Sequence, residues 1–486
     1  MTEPNPVLDT LLALIPLVLL VTLLALRMKP VPAALIVIAL TGVLTGIRFP
    51  IDPGLFDDVV PSLWPVALSV LVIIFGGVLL AEYLGTVGAQ DAIGDWLRAA
   101  AHTPDRAVLL IGLGVAPFVE SIVGWGLGVV ASVPLLLRLG LTPTKAASIG
   151  LLGIVLGPWG SLGPGNIIMA ELGAVDYVQL GVVSALFSLP VLLVGGIAIL
   201  LVGVGWRRAR SMLLEALVTV LVMWLILIAV NLAFGPPLGG VIASLGAIAI
   251  LMLFARLRGG RAFTPDRFTV RSLYPYLVLI VTLLLAIAVD RLFPLGVWGD
   301  ILANPAIWML LAAFSTPLFF RLPWAQSLSV VTVSLKRFAP VTLTTLLFIG
   351  FGGLLSVNGM SARLSDAAAS LGLGFLALIP VIGFVGGYIT ASSTATAAMF
   401  ASGISHAAVA LGTDQLAALS VQNVASGSAV MTSPSRVALA VSLTEDAVAQ
   451  GRAPADPAVV MRHVLLANLI VVLLLAPLSW AAGVLL

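Results

Sequence analysis

The sequence predicts an all-α protein that crosses a membrane many times and contains two inverted structural repeats. Of its 486 residues, 60% are hydrophobic and only 9% are charged, whereas soluble domains carry about 25% charged residues. The apolar residues form long runs, such as 216–255, which contains no charged residue. A spanning helix needs about 20 apolar residues, so this run is long enough for two crossings. The third observation is a weak internal repeat between the two halves of the chain.

Hydropathy predicts twelve spanning helices. They are placed at 7–26, 31–47, 62–85, 142–173, 177–203, 212–233, 237–256, 272–292, 305–321, 338–358, 413–448 and 463–486. The first is interpreted as a retained helix, because no basic region or cleavage site of a signal peptide accompanies it. Two more apolar segments, 104–140 and 373–411, are too long for one crossing and too short for two. We interpret each as a re-entrant hairpin, and such hairpins usually line a site, because irregular backbone at membrane depth must be covered.

The basic residues predict the orientation. With these spans, all but four of the 23 lysine and arginine residues fall on one side of the membrane. The positive-inside rule makes that side cytoplasmic, so both termini are expected outside. Arg436 falls inside the membrane, where charged residues usually mark a functional path.

The repeat joins the two halves of the chain at their glycines and prolines. The matched positions are Pro65 and Pro340, FGGVLL at 75–80 and FGGLLS at 351–356, Gly157 and Gly427, and Pro164 and Pro434. On the predicted topology the helices that carry FGGVLL and FGGLLS run in opposite directions, so the repeats are inverted. Inverted repeats with interrupted helices are typical of secondary transporters, which hold substrate near the midplane where the repeats meet.

The segments 142–173 and 413–448 are each predicted to break in the middle. As one helix the first would be about 48 Å long, against a hydrocarbon core of about 30 Å. Its centre reads GPWGSLGPG at 157–165, and the other centre reads GSAVMTSP at 427–434. Proline removes a backbone donor and glycine permits unwound backbone. Each half-helix that starts after a break then directs its positive end inward, which suits an anion.

The predicted site combines the two breaks with the hairpin tips. Its candidate substrate-binding residues are Arg436, Ser433, Ser435, Gly163, Gly165, Asn166, Ser392, Ser393 and Thr394. Glu120, in the first hairpin, is the candidate proton-coupling residue, and the empty site is expected to hold an Arg436–Glu120 pair. The structural alternatives are that the hydroxyls only pack helices together, and that Arg436 only neutralises Glu120 or caps free carbonyls.

Several function classes are disfavoured. The absence of cysteine excludes disulfides, thiol catalysis and iron–sulfur clusters. His102, His406 and His463 share no metal-ligand spacing, so no metal or other cofactor is expected. A net charge of +2 without a basic run argues against nucleic acid as a partner. No Ser–His pair, paired aspartates or HExxH motif indicates an enzyme, and a channel would not need two coupled breaks.

Three stretches resemble the L-lactate permease family of bacterial monocarboxylate carriers. They are APFVESIVGWGLGVVAS at 116–132, GPWGSLGPGN at 157–166 and SPSRVALAVSLTE at 433–445. The chain departs from the family pattern at Trp125, where a GFG is usual, at 164–166, and at Arg436, where a neutral residue is expected. The resemblance implies symport of lactate, glycolate or a related 2-hydroxy acid with protons across the bacterial plasma (inner) membrane.

The chain also looks like the wider ion-transporter superfamily. This resemblance implies a transport domain, 104–203 with 373–486, that moves like an elevator against a scaffold, 1–103 with 204–372. Amphipathic segments at 89–101 and 361–371 would connect the two parts. The expected partners are a small organic monocarboxylate, the lipid bilayer and a second copy in a homodimer. The alternative is a sodium-coupled carboxylate or dicarboxylate carrier of the same architecture, which the hydroxyl-rich second hairpin favours, whereas a single interior cation favours one carboxylate.

Overall fold

The protein is all-helical, as predicted. The computed structural model describes residues 6–26, 28–260 and 264–485, and these residues contain no β-strand. The helices of the first half are α1 (Pro6–Ala25), α2 (Pro30–Ile47), α3 (Pro53–Thr86), α4 (Ala89–Ala100), α5 (Pro104–Leu109), α6 (Ala116–Ile122), α7 (Leu127–Arg138), α8 (Pro143–Leu152), α9 (Pro164–Gly173), α10 (Tyr177–Phe187), α11 (Leu189–Phe234) and α12 (Gly239–Leu257).

The second half repeats much of this order. Its helices are α13 (Arg267–Leu292), α14 (Val297–Ala303), α15 (Pro305–Phe320), α16 (Trp324–Val357), α17 (Met360–Ala369), α18 (Gly374–Thr390), α19 (Ser393–Ala410), α20 (Gln415–Ala429), α21 (Pro434–Ser442), α22 (Glu445–Ala449) and α23 (Pro457–Leu485). A π-helical segment covers Leu110–Val115, and 3₁₀ turns cover Gly157–Leu162, Pro236–Leu238 and Val430–Thr432.

Eight of the described helices are long and apolar enough to cross a membrane, and ten if the bent pairs α9–α10 and α14–α15 each count as one span. This establishes a multi-pass membrane protein. The predicted spans 177–203 and 212–233 fall in α10 and α11, and α11 contains a break at Gly205, whose φ of 78° and ψ of 161° are not helical. The predicted spans 142–173 and 413–448 are each divided into separate helices, α8 with α9 and α20 with α21 and α22. The remaining predicted spans coincide with helices, although α3 and α16 are longer than expected, at 34 residues each. The predicted number of twelve spans stays a prediction.

The two halves share one order of elements. In each half a 34-residue helix, α3 or α16, is followed by a short helix, α4 or α17. A pair of helical arms comes next, and then a helix that is broken in its middle. The long helices α3 and α16 pack against each other, and α15 packs along α3. The short helices cover 89–100 and 360–369, where amphipathic segments are predicted.

Both predicted hairpins are formed by two helical arms. In the first, α5, the π-helical segment and α6 make one arm and α7 makes the other. Gly128 of α7 lies so close to α6 that a Cβ atom there would overlap the carbonyl oxygen of Ala116. In the second, α18 and α19 join at Ala391, which is left-handed with φ of 56°. Near that tip the Thr390 and Thr396 hydroxyls are 3.3 Å apart.

Local chemistry explains where the helices near the hairpins begin. The Ser392 and Ser433 side chains each accept a hydrogen bond from the backbone N–H three residues later, at the start of α19 and α21. Thr142 does the same at the start of α8. These N-caps satisfy first-turn N–H groups that have no partner within the helix. Proline follows Thr142 and Ser433, and proline is preferred at the first helical position.

The two broken helices touch each other at their breaks. Between α8 and α9 the chain unwinds, with non-helical dihedral angles at Gly160 and Ser161. Between α20 and α21 it forms a 3₁₀ turn followed by extended backbone at Ser433. Gly157 and Gly427 face each other across the contact, and a Cβ atom on Gly157 would overlap the carbonyl group of Gly427. The absence of side chains at both positions therefore lets the two backbones meet.

A buried ion pair ties the first hairpin to the middle of the chain. Arg106 of α5 donates two hydrogen bonds to the Glu215 carboxylate of α11, at 2.9 and 3.1 Å. Arg258 adds a contact of 3.1 Å to the same carboxylate. The Arg106 and Glu215 side chains are almost fully buried. The predicted domain boundary at 203 divides this pair, and breaking a buried ion pair costs about 3–5 kcal/mol. The domain division stays a prediction.

We expect Gly157→Ala to destabilise the protein, because the new methyl group meets backbone that cannot rotate away. Overpacking of this kind costs about 1–3 kcal/mol, which a lower melting temperature of the purified protein would report. Gly350→Ala in α16 is the matched control, since a Cβ atom there has nothing within 4 Å and alanine is the better helix former. Equal melting temperatures for the two variants would contradict the close contact of the breaks.

Candidate functional site

Both hairpin tips and both helix breaks meet at one small cavity. The first hairpin contributes Glu120, Gly124 and Trp125, the first break contributes Ile154, Gly157, Gly160, Ser161 and Pro164, the second hairpin contributes Ala391, Ser392, Ser393 and Thr394, and the second break contributes Val430 and Arg436. These segments are far apart in the chain. The fold brings them together because the broken helices touch at the contact of Gly157 with Gly427.

Three helix N-termini converge on this cavity. Helix α9 begins at Pro164, α19 begins at Ser393, and α21 places Arg436 in its first turn. The start of a helix carries a partial positive charge and N–H groups without an intrahelical partner. Several such ends around one space make a favourable place for an anion. The predicted anion site therefore gains a third helix end, that of α19.

Glu120 holds the tip of the first hairpin closed. One oxygen of its buried carboxylate accepts a hydrogen bond from the N–H of Gly126, and the other accepts from the N–H of Gly128, both at 3.0 Å. Gly126 is the residue that precedes α7, so the carboxylate occupies the positive end of that helix. Because both oxygens act as acceptors, the arrangement fits an ionised carboxylate.

Arg436 lies beside this tip and does not pair with Glu120. Its side chain is 9% exposed, and its guanidinium contacts the backbone at Gly126. Among the described residues Arg436 forms no ion pair within 4.0 Å, and its Nε atom has no hydrogen-bond partner. The expected Arg436–Glu120 pair is thus not formed as a direct salt bridge, since the Glu120 carboxylate binds backbone N–H groups of the hairpin, although the two opposite charges lie close enough to interact.

The other predicted residues divide into two groups. Ser392, Ser393 and Thr394 line the cavity, as does Arg436, and Ser435 lines the adjoining space. The second group lies behind the cavity wall and comprises Ser433, Gly163, Gly165 and Asn166. The Ser433 hydroxyl caps α21, and Gly163 takes the left-handed conformation, with φ of 75°, that lets the chain turn into α9.

Asn166 belongs to a buried amide network. Its side-chain oxygen accepts a hydrogen bond of 2.6 Å from Asn423 of the other broken helix. Asn423 also donates to the Ser184 hydroxyl at 3.0 Å. All three side chains are buried, and the network joins the two broken helices directly behind the site. Asn423 and Ser184 were not predicted from the sequence, because a polar residue within an apolar helix carries no signal of its partner.

A second, wider cavity adjoins the first. It has a volume of about 320 Å³ and shares four wall residues with the small cavity, Trp125, Ala391, Ser392 and Arg436. We call it the vestibule. Its remaining wall includes Ser435 of α21, the 340–348 stretch of α16 and Pro30 at the start of α2. The vestibule therefore leads from the site along α16 toward the start of α2.

Trp125 was also not predicted as a site residue, although its position between two glycines in a hairpin tip is an available signal. Among the described residues, no group of three or more His, Cys, Asp or Glu side chains is placed to hold a metal ion.

The sequence is similar to that of known permeases. The profile of the L-lactate permease family matches residues 9–270 and 279–476. An L-lactate permease of Streptococcus iniae is 24% identical over 81% of this chain and 89% of its own length. One of Halalkalibacterium halodurans is 22% identical over 88% of both chains, and one of Salmonella typhimurium is 25% identical over 86% of both.

The fold is similar to that of a solved transporter. The YdaH transporter of Alcanivorax borkumensis, whose crystal structure shows an unusual topology, aligns over 98% of both chains with a TM-score of 0.50 and 16% identity. This likeness concerns the fold alone. The resemblance drawn from the hairpin and break motifs is confirmed across the chain: the protein belongs to the L-lactate permease family of membrane transporters, and it is not an enzyme.

Proposed function

We propose that this protein is a symporter that carries a small 2-hydroxy monocarboxylate, such as L-lactate or glycolate, together with protons across the bacterial plasma membrane. The observation that carries the proposal is the buried guanidinium of Arg436 beside a cavity where three helix N-termini meet. The relatives named as L-lactate permeases support this class of substrate.

The charge of the site favours one carboxylate over two. Arg436 is the single cationic side chain among the described residues that line the small cavity and the vestibule. The Glu120 carboxylate lies in the same wall and, while ionised, would repel a second substrate carboxylate. A dicarboxylate would leave one charge without a partner at membrane depth, where unpaired charges are costly. The sodium-coupled carrier remains the rival, supported by the hydroxyls of 392–394.

The proposed motion is an elevator-like movement of the hairpins and broken helices against a scaffold built on α3 and α16. The shared order of elements in the two halves supports inverted repeats, and such repeats provide two related conformations. The proposed orientation places both termini outside and the 256–271 loop in the cytoplasm. The vestibule reaches Pro30, next to the basic Lys29, so the conformation described here would be open toward the cytoplasm.

Cysteine labelling tests the orientation, since the chain has no cysteine of its own. Thr264 is exposed in the loop before α13 and is a suitable position. Gly260 is unsuitable, because a Cβ atom there would lie 2.6 Å from the Ala255 carbonyl oxygen. We expect Thr264→Cys to react with a membrane-impermeant maleimide only after the cells are opened, with Ser370→Cys before α18 as the outward control. Labelling of Thr264→Cys in intact cells would reverse the proposed orientation.

The role of Arg436 is tested by direct binding of lactate to purified variants. A hydrogen bond to a charged group is worth about 1.5–3 kcal/mol, so we expect Arg436→Gln to weaken binding by roughly ten- to a hundred-fold. Arg436→Lys keeps the charge but loses the planar guanidinium group. Its affinity for lactate should lie between that of the unchanged protein and that of Arg436→Gln. If folded Arg436→Gln binds lactate as tightly as the unchanged protein, Arg436 serves only to fill and cap the break.

Proton coupling follows from the cost of moving an anion inward. The membrane potential opposes a single negative charge by about 2.3 kcal/mol per 100 mV, and a proton that moves with the substrate removes this cost. Glu120 is the proposed carrier of that proton. Protonation turns one carboxylate oxygen into an O–H donor with reduced acceptor capacity. It would therefore weaken the hydrogen bond from the N–H of Gly126 or of Gly128, and so couple proton binding to the hairpin tip.

We expect Glu120→Gln to bind lactate and exchange it, yet to lose accumulation driven by a proton gradient, because its side chain cannot titrate. Uptake into proteoliposomes with an imposed pH difference measures this. Glu171→Gln is the matched control, since Glu171 is exposed at the far end of α9. If Glu120→Gln still accumulates lactate when driven by the pH difference, Glu120 is not the proton-coupling residue. Uptake that follows a sodium gradient and ignores pH would instead replace proton symport with the sodium-coupled rival.

A further inference from the structure

The tip of the first hairpin is built from three consecutive left-handed residues. Gly124, Trp125 and Gly126 have φ of 73°, 59° and 83°. Glycine adopts this conformation freely, whereas a bulky residue with positive φ is a genuine outlier. Strained residues of this kind cluster at ligand sites, where the surrounding structure holds them in place. Two hydrogen bonds hold the tip here. The Gly126 N–H donates to the Glu120 carboxylate, and the Ser161 hydroxyl donates to the Val123 carbonyl at 2.6 Å.

The side chain held in this way stands between the two cavities. Trp125 lines both the small cavity and the vestibule, and Arg436 is one of the three residues that do so with it. The indole N–H of Trp125 is buried and has no hydrogen-bond partner among the described residues. The indole group can only donate, so this N–H is free to bind an acceptor atom of a ligand in either cavity. By contrast, the buried Trp159 donates its indole N–H to Asn231 at 3.2 Å.

Two unpartnered donors thus share one site, the Trp125 indole N–H and the Arg436 Nε–H. A 2-hydroxy monocarboxylate has three oxygen atoms. Its two charged oxygens suit the guanidinium and the helix N-termini. The 2-hydroxyl oxygen is neutral and suits a neutral donor.

We propose that the Trp125 indole N–H donates a hydrogen bond to the 2-hydroxyl oxygen of the substrate, which makes Trp125 the residue that selects 2-hydroxy acids over unsubstituted acids. This inference rests on the proposed function, since it assigns a role within the same site. A site built to hydrogen-bond a substrate hydroxyl discriminates against an analogue that lacks it, because the buried donor is then left without a partner.

The test compares lactate with propionate, which has the same carbon chain without the hydroxyl. Equilibrium binding of each acid is measured on the purified full-length protein at one pH, so that proton-coupled transport does not affect the comparison. The unchanged protein should bind lactate about ten-fold more tightly than propionate, which corresponds to about 1.4 kcal/mol. Trp125→Phe keeps an aromatic side chain that must adopt the same left-handed backbone conformation, but it removes the indole N–H. It should weaken lactate binding about ten-fold, leave propionate binding unchanged, and so abolish the preference.

Trp159→Phe is the matched control, because it removes an indole N–H that is already satisfied by Asn231. It should lower thermal stability while keeping the lactate preference. Equal weakening of both acids by Trp125→Phe would overturn the inference, since the contact would then be to the carboxylate or to the carbon chain. Equal affinity of the unchanged protein for the two acids would overturn it without any variant. If the unchanged protein binds neither acid, the proposed function fails, and that outcome is distinct from a loss of the hydroxyl contact alone.

Discussion

The site depends on the backbone contact between the two broken helices. Gly157 and Gly427 approach so closely that neither has room for a side chain. A continuous helix could not make this contact, because its side chains would hold the two axes apart at about 8–10 Å. Unwinding at the contact also creates new helix ends at membrane depth. The same local event therefore permits the crossing and supplies the polar groups of the binding site.

The helix ends near the site are divided between the Glu120 carboxylate and the proposed substrate anion. Glu120 occupies the start of α7 with both carboxylate oxygens. The starts of α9, α19 and α21 remain directed at the cavity, together with Arg436. Glu120 thus acts first as the group that shapes the hairpin tip. Its proposed part in proton coupling follows from this role, since any change in its protonation must change the tip that carries Trp125.

Buried polar pairs fix the parts around this centre. Arg106 with Glu215 anchors the first hairpin to α11, and the Asn166–Asn423 bond joins the two broken helices. In an apolar interior each polar group must be satisfied internally, so these pairs leave few alternative arrangements of the helices. Among the described residues, several other buried polar atoms also lack a partner, such as the Asn166 amide nitrogen, but Arg436 and Trp125 are the residues with an unpartnered donor that also line both cavities.

The sequence by itself determined the helical membrane class, the two hairpins, the two breaks, and the presence of Glu120 and Arg436 near one site. Hydropathy, proline and glycine act locally, so their consequences can be read from neighbouring residues. Only the tertiary structure decided that Glu120 binds the hairpin backbone instead of Arg436, that Asn166 turns toward Asn423, and that Trp125 enters the site. Those outcomes depend on contacts between segments distant in the chain and on side-chain directions set by left-handed backbone, which no local pattern specifies.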